Sequence, residues 1–71
     1  MELATILGRN IRSHRKRIGL SQEQLALEVE MKRSYLSDLE RGTRNPSVKA
    51  IERLARALGV EPWLLLIPTS P

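Results

Sequence analysis

Glycine and proline interrupt this chain of 71 residues at short intervals, and apolar residues recur at helical spacing between the interruptions. The main interruptions are Gly19, Gly42, Gly59, Pro62 and Pro68. Apolar residues three or four positions apart line one face of a helix, whereas a half-buried strand requires strict alternation, which is found nowhere in the sequence. The pattern therefore predicts an all-α protein with a single domain that spans residues 1–71.

The first two predicted helices have distinct signals. The first helix is predicted from a stripe formed by Leu7, Ile11, His14 and Ile18. Ser21 is a good N-cap for the second helix, and Gln24 three residues later completes the pattern of a capping box. The inward residues of this second, short helix are Leu25, Ala26 and Val29. Glu30 and Met31 then leave room only for a tight connection.

Three further helices are predicted after this connection. The third has its buried side at Tyr35, Leu36 and Leu39, and it ends at Arg41-Gly42. Ser47 caps the fourth, whose inward face is Val48, Ile51, Leu54, Ala55 and Leu58. Pro62 opens a fifth helix through about Leu66. We thus expect five helices.

Composition excludes several classes of protein. The chain has no cysteine and one histidine, and it has no glycine-rich phosphate loop. We therefore expect no metal site, no cofactor and no enzyme activity, and no small-molecule ligand is indicated. The longest apolar run, Trp63 to Ile67, is far shorter than the roughly 20 residues of a membrane helix. The N-terminus lacks the basic start and apolar stretch of a signal peptide, which predicts a cytoplasmic location.

Charge is distributed unevenly along the chain. The formal net charge is +4, and residues 9–49 hold ten basic against five acidic side chains. A localised basic excess is what a phosphate-facing surface requires. It is also found on ordinary solvated faces, so charge alone leaves both readings open.

Residues 22–41 combine two short helices with almost no loop between them, which is the geometry of a helix-turn-helix. The entry reads Leu20-Ser21-Gln22-Glu23-Gln24-Leu25-Ala26, and the end reads Leu39-Glu40-Arg41-Gly42, followed by Asn45-Pro46-Ser47 and Leu58-Gly59-Val60. In these segments the chain resembles the Cro and repressor type of DNA-binding domain, also called the xenobiotic-response-element family. The resemblance covers about residues 7–66 and implies a lambda-repressor-like fold.

The resemblance implies that the third helix lies in the major groove, with its first residues against base edges. Its outward residues, the candidate base contacts, are Lys32, Arg33, Ser34, Ser37 and Asp38. Arg33 is the strongest candidate because a guanidinium can donate two bonds to guanine; the alternatives are a phosphate contact or a solvated arginine. Ser34 and Ser37 can bond a base or a phosphate. Asp38 can accept from cytosine N4 or pair with Arg33 or Arg41.

The same resemblance implies phosphate contacts around the recognition helix. Gln22 matches a glutamine that, with the N–H groups at the start of its helix, meets one phosphate. The other candidates lie at the helix start, in the loop after the motif and on the rim: Ser21, Thr43, Arg44, Asn45, Arg12, Lys16 and Arg41. For each of the loop and rim residues, plain solvation is the alternative.

The resemblance also singles out five further positions. Arg15 and Glu40 match residues that pair between the first helix and the recognition helix. Glu30 stands where relatives usually have glycine, so we expect a left-handed residue or a different turn. Lys32 stands where relatives often have a capping side chain, so we expect a poor cap. His14 replaces a common leucine, and we expect a half-buried histidine rather than a pH switch.

Readers of this type bind two half-sites, which implies a homodimer on double-stranded DNA. Helices 4 and 5, at about 47–66, are the candidate dimer interface, and the apolar run at their end supplies its residues, Trp63, Leu64, Leu66 and Ile67. Alternatively, these residues only complete the core. The expected function is that of a small transcriptional regulator of bacterial or phage type, associated with the nucleoid when bound. The segment Arg33-Ser34-Tyr35-Leu36-Ser37 looks like that of restriction-modification controller proteins, although Lys32 and Asp38 depart from them. Phage-type repressors and stand-alone regulators remain open, as does an antitoxin-like protein-binding module.

Overall fold

The computed structural model describes residues 2–68, and within that range it contains helices and no strand. The four α-helices are α1 (Leu3–Arg17), α2 (Gln22–Glu28), α3 (Arg33–Arg41) and α4 (Val48–Leu58), and they are followed by a 3-10 segment at Pro62–Leu65. The prediction of an all-α fold is therefore confirmed. None of the helices in residues 2–68 is long and apolar enough to cross a membrane.

Side-chain caps fix where α2 and α4 begin. The Ser21 hydroxyl accepts from the Gln24 backbone N–H at 3.0 Å, and the Gln24 side chain accepts from the Ser21 N–H at 2.8 Å. This reciprocal pair is the predicted capping box. The Ser47 hydroxyl likewise accepts from the Ala50 N–H at 3.1 Å. Both predicted caps are confirmed. They could be predicted from the sequence because each depends only on residues within one helical turn.

Left-handed residues close the helices and form the turn between α2 and α3. Gly42 and Gly59 end α3 and α4 with φ of 80° and 73°. Glu30 is also left-handed, with φ of 58°, which is the first of the two alternatives expected at the position of the usual glycine. Lys32 provides no side-chain cap to α3, which confirms the expected poor cap.

The core is aliphatic and draws on every helix. Its fully buried large side chains are Ile11, Leu25, Leu36, Leu39, Leu54 and Leu65. The predicted inward position is wrong for two residues. Ile18 and Val48 are both exposed, Val48 by 76%. Ile18 lies just beyond the last residue of α1, and Val48 is the first residue of α4, so neither has a full helical turn to direct it toward the core.

Gly8 sets the approach of α1 to α3. A Cβ at this buried position would lie 2.4 Å from the Leu39 carbonyl oxygen and 2.7 Å from that of Glu40. Those distances are shorter than any real contact of a methyl group, so only glycine fits between the two helices. The close crossing brings the start of the chain directly against the C-terminal end of α3.

Asn10 connects α1 to the C-terminal segment. Its buried amide donates to the carbonyl oxygens of Leu65 at 2.9 Å, Ile67 at 2.8 Å and Leu64 at 3.3 Å. The predicted fifth helix is therefore wrong in form: the segment is a four-residue 3-10 turn. Its carbonyl groups point to an α1 side chain, which takes the place of the N–H groups of a continuing helix.

Candidate nucleic-acid interface

Residues 22–41 form two helices joined by a four-residue turn. Ala26 is buried on α2, and its carbonyl oxygen accepts from the Met31 N–H at 2.9 Å. This backbone bond folds the turn back onto the end of α2. On the inner side of the pair, Leu25, Leu36 and Leu39 are buried. The opposite side of α3 is thereby left at the protein surface.

The first turn of α3 is open to solvent. Lys32, Arg33 and Ser34 are exposed, and their side chains make no hydrogen bond or ion pair with any residue in 2–68. The structure thus leaves three of the predicted base contacts available to a ligand. Arg33 does not pair with Asp38, which was one of the alternatives for that carboxylate.

Asp38 is instead the centre of a group further along α3. One carboxylate oxygen accepts from Arg41, and the other lies 3.4 Å from Nε of Arg44. Arg41 also donates to the Ser37 hydroxyl at 3.0 Å. The Arg44 guanidinium carbon lies 5.4 Å from the ring centroid of Tyr35. Four of the candidate DNA contacts, Ser37, Asp38, Arg41 and Arg44, therefore contact one another.

Arg15 and Glu40 lie in direct contact between α1 and α3. Arg15 donates to the two carboxylate oxygens of Glu40 at 2.7 and 3.0 Å, and to the Leu20 carbonyl oxygen at 2.8 Å. Glu40 also accepts from Nε2 of Gln22 at 3.1 Å. Because an amide nitrogen carries two hydrogens, Gln22 keeps one N–H that this bond does not use. The cluster joins α1, the start of α2 and the end of α3.

The remaining candidate phosphate contacts lie on α1 and in the loop after α3. Arg12, Lys16 and Asn45 are exposed. Thr43 donates its hydroxyl to the Asp38 carbonyl oxygen at 3.1 Å and is held against the end of α3. The Ser21 oxygen is engaged as the cap of α2. Thr43 is therefore anchored to the recognition helix, whereas the side chains of Asn45, Arg12 and Lys16 extend from the surface.

A second surface is apolar. Trp63 is 62% exposed and Ile67 is also exposed, while Leu64 and Leu66 are half-buried. A small groove of about 110 Å³ reaches Leu66 and brings together Leu3, Ala4, Leu7, Asn45, Pro46 and Ile51. The start of α1 therefore adjoins the predicted interface residues. Leu3 was not predicted to adjoin this apolar surface, because its exposure cannot be inferred from the spacing of apolar residues.

The contacts of Arg53 were also not predicted from the sequence. It projects from α4, donates to the Val29 carbonyl oxygen and lies 3.8 Å from a carboxylate oxygen of Glu30. The turn between α2 and α3 is thus attached to α4. No local pattern signals this contact, because it joins residues 24 positions apart. Gly8, in contrast, had a signal: a glycine inside a helical stripe often marks a close packing contact.

This fold defines a helix-turn-helix protein: a short, capped helix packs across a second helix whose outer face is polar and basic. Residues 11–62 match the helix-turn-helix family, so the chain belongs to this family of transcriptional regulators. The resemblance inferred from the sequence is confirmed.

Among its relatives, Control protein C.BamHI of Bacillus amyloliquefaciens is 47% identical over 62 residues, which cover 86% of this chain and 76% of that protein. The solved restriction-modification controller protein C.AhdI of Aeromonas hydrophila is 44% identical with a TM-score of 0.83, covering 87% of this chain and 94% of that one. The biofilm regulator SinR, solved in complex with DNA, is 35% identical with a TM-score of 0.82. The match covers 86% of this chain and 98% of the SinR chain. SinR is a Bacillus subtilis protein.

Proposed function

We propose that this protein regulates transcription by binding double-stranded DNA as a homodimer, with α3 of each subunit in the major groove of one half of a palindromic operator. The observation that carries the proposal is the open first turn of α3. Arg33 is exposed and unpaired there, on a helix whose other side is fixed by buried Leu36 and Leu39. A rigid helix with a free guanidinium at its start suits bidentate recognition of guanine.

Phosphate contacts fix the position of the helix on the duplex. Gln22 contacts one phosphate through the amide N–H that its bond to Glu40 leaves free. Arg12, Lys16 and Asn45 provide further contacts at the rim, whereas the Thr43 hydroxyl already donates to the Asp38 carbonyl oxygen. Together with Lys32 and Ser34 they surround the groove-facing helix with donors.

Dimerisation uses the apolar surface. Trp63, Leu64, Leu66 and Ile67 pack against the same residues of a second copy, and the groove beside Leu66 extends the contact to the start of α1. The exposure of Trp63 supports this, because a large apolar side chain at the surface gains from burial against a partner. Two-fold symmetry then places the two α3 helices on half-sites about one helical turn apart.

The particular regulatory role we propose is that of a restriction-modification controller acting in the cytoplasm. The relatives C.BamHI and C.AhdI support it, because this chain covers most of the length of both proteins. The segment Arg33-Ser34-Tyr35-Leu36-Ser37 also looks like the corresponding segment of controllers.

Selection from random duplexes tests the proposed function. The protein is incubated with a random pool over a range of salt concentrations, the retained molecules are sequenced, and the mass of the free protein is measured in solution. We expect a palindromic enriched site, steep salt dependence and a mass of two chains. Weak binding with no enriched sequence would contradict the proposal and favour a protein-binding module such as an antitoxin.

A further inference from the structure

Asp38 is the acidic centre of an otherwise basic surface. Between residues 32 and 44 the basic residues are Lys32, Arg33, Arg41 and Arg44, and the acidic ones are Asp38 and Glu40. Glu40 is buried and bonded to Arg15, so its charge is already compensated inside the protein. Asp38 is therefore the carboxylate in this segment that faces the outside, with 24% of its side chain exposed.

Both oxygens of this carboxylate are occupied by arginines from the proposed DNA-binding surface. Arg41 contacts one carboxylate oxygen of Asp38 and Arg44 the other, and each arginine has a second contact, with Ser37 and Tyr35 respectively. The pairs hold two long side chains along the protein surface. Without them, both guanidinium groups would extend into solvent, where a phosphate could reach them.

From this geometry we infer that Asp38 determines specificity by restraining Arg41 and Arg44, which lowers the affinity of the surface for phosphates of any sequence. The inference rests on the proposed function and deepens it. Most affinity for non-specific DNA comes from lysine and arginine neutralising phosphates, with release of counterions. A carboxylate that occupies two arginines reduces that contribution and also repels phosphates, whereas a contact between Arg33 and a base edge is unaffected.

The restraint is weak enough to be released. Arg41 and Arg44 are each more than half exposed, and exposed ion pairs contribute little to stability because water and salt screen them. At the correct operator, phosphates held in register compete for these arginines. On other sequences the helix lies in poorer register, so the arginines stay with Asp38. The carboxylate thus widens the ratio between specific and non-specific affinity.

Asp38→Asn tests this role. It keeps an oxygen that accepts from arginine and removes the charge, and it leaves the backbone carbonyl that holds Thr43 intact. At moderate salt we expect affinity for unrelated duplexes to rise about three- to tenfold, with a salt slope steeper by about one to two phosphate contacts. Affinity for the selected operator should rise less, so the specificity ratio falls.

Two matched variants serve as controls. Glu28→Gln makes the same change in net charge at an exposed position at the other end of α2 from Gln22. It should alter non-specific affinity by less than Asp38→Asn. Glu52→Gln makes this change at an exposed position on α4 and should likewise have the smaller effect. A melting curve of each variant shows that folding is preserved.

Two outcomes would overturn the inference. If Asp38→Asn and Glu28→Gln raise non-specific affinity equally, the effect is one of net charge and not of restraint. If Asp38→Asn loses operator affinity through relaxed preference at one base pair, Asp38 reads cytosine directly. Failure of the unmodified protein to bind any duplex is a different result, since it removes the proposed function and this inference together.

Discussion

Arg15 and Glu40 form a bidentate ion pair between α1 and the end of α3, with only 9% and 4% of their side chains exposed. The same carboxylate holds Gln22, and the same guanidinium holds the Leu20 carbonyl oxygen. One buried pair therefore fixes the start of α2, which carries a proposed phosphate contact, relative to the helix proposed to read bases. Stability and DNA affinity should consequently change together when this pair is broken.

Replacing Arg15 tests that coupling. Arg15→Ala leaves Glu40 buried without its arginine partner. We therefore expect the free energy of unfolding to fall by about 3–5 kcal/mol and DNA affinity to fall as well. The double variant Arg15→Ala/Glu40→Ala removes the unpaired charge and should cost less than the sum of the single changes. Denaturant titration and operator binding measure both effects. Loss of affinity in Arg15→Ala with unchanged stability would count against the coupling.

Glu30 is strained in its left-handed conformation. Glu30→Gly relieves that strain, and the side chain is 88% exposed with one long contact to Arg53, so little is lost. We expect stabilisation by about 0.5–1 kcal/mol in urea titrations. Glu28→Gly serves as the control, because it places glycine at the last helical residue of α2 instead of at a left-handed position. It should destabilise the protein by up to about 1 kcal/mol. Equal effects of the two changes would show that the turn has a different conformation in solution.

Asn10 anchors the segment that bears the apolar surface. Asn10→Ala deprives buried carbonyl groups of their donor, and we expect a loss of about 1–3 kcal/mol. Fluorescence of Trp63, the one tryptophan, should change at lower denaturant concentration than helical circular dichroism, and dimerisation should weaken. Arg9→Ala, at the exposed position next to it, is the control with little effect. Coincident transitions and an unchanged dimer would refute this role.

We expect His14 to make the stability of the protein depend on pH. Partial burial, and secondarily the nearby Arg17, lower the pKa of His14 below 6.5. The unfolded chain therefore takes up a proton more readily, so the contribution to stability is complete above pH 6.5 and decreases as the pH falls through that value toward the lower folded pKa. His14→Gln should flatten the decrease between pH 7.5 and 5.5. An identical slope in the variant would assign the dependence to other groups.

The residues that were predictable from sequence depend on local chemistry. The box of Ser21 and Gln24, the cap at Ser47 and the left-handed Glu30 all lie within a few residues of their partners. The contacts of Asn10 and Arg53 could not be assigned, because their partners lie 24 to 57 positions away in the chain. Gly8 had a signal inside its helical stripe, but that signal does not identify the α3 backbone as its partner. Val48 and Ile18 show the limit of periodicity, which gives the direction of a face but not the residue at which a helix begins or ends.

The exposure of the first turn of α3 was predictable from the sequence, whereas the arrangement of the later side chains was less so. The resemblance placed Lys32, Arg33 and Ser34 outward, and all three are exposed. The partners of Asp38 could not be predicted, because several arginines lie within reach of its carboxylate. The structure selects Arg41 and Arg44 because both approach from the C-terminal side, whereas Arg33 lies at the start of the helix.

Base-pair preference in Arg33→Ala tests the placement of α3 in the major groove most directly. Sites are selected from random duplexes with the unmodified protein, with Arg33→Ala and with Arg12→Ala as a phosphate-contact control. We predict that Arg33→Ala relaxes preference at one symmetric position in each half-site, at a cost of about 1–3 kcal/mol per contact, with an unchanged melting temperature. Arg12→Ala should weaken all sequences alike. A uniform loss in Arg33→Ala, with every base preference retained, would contradict base reading by this helix.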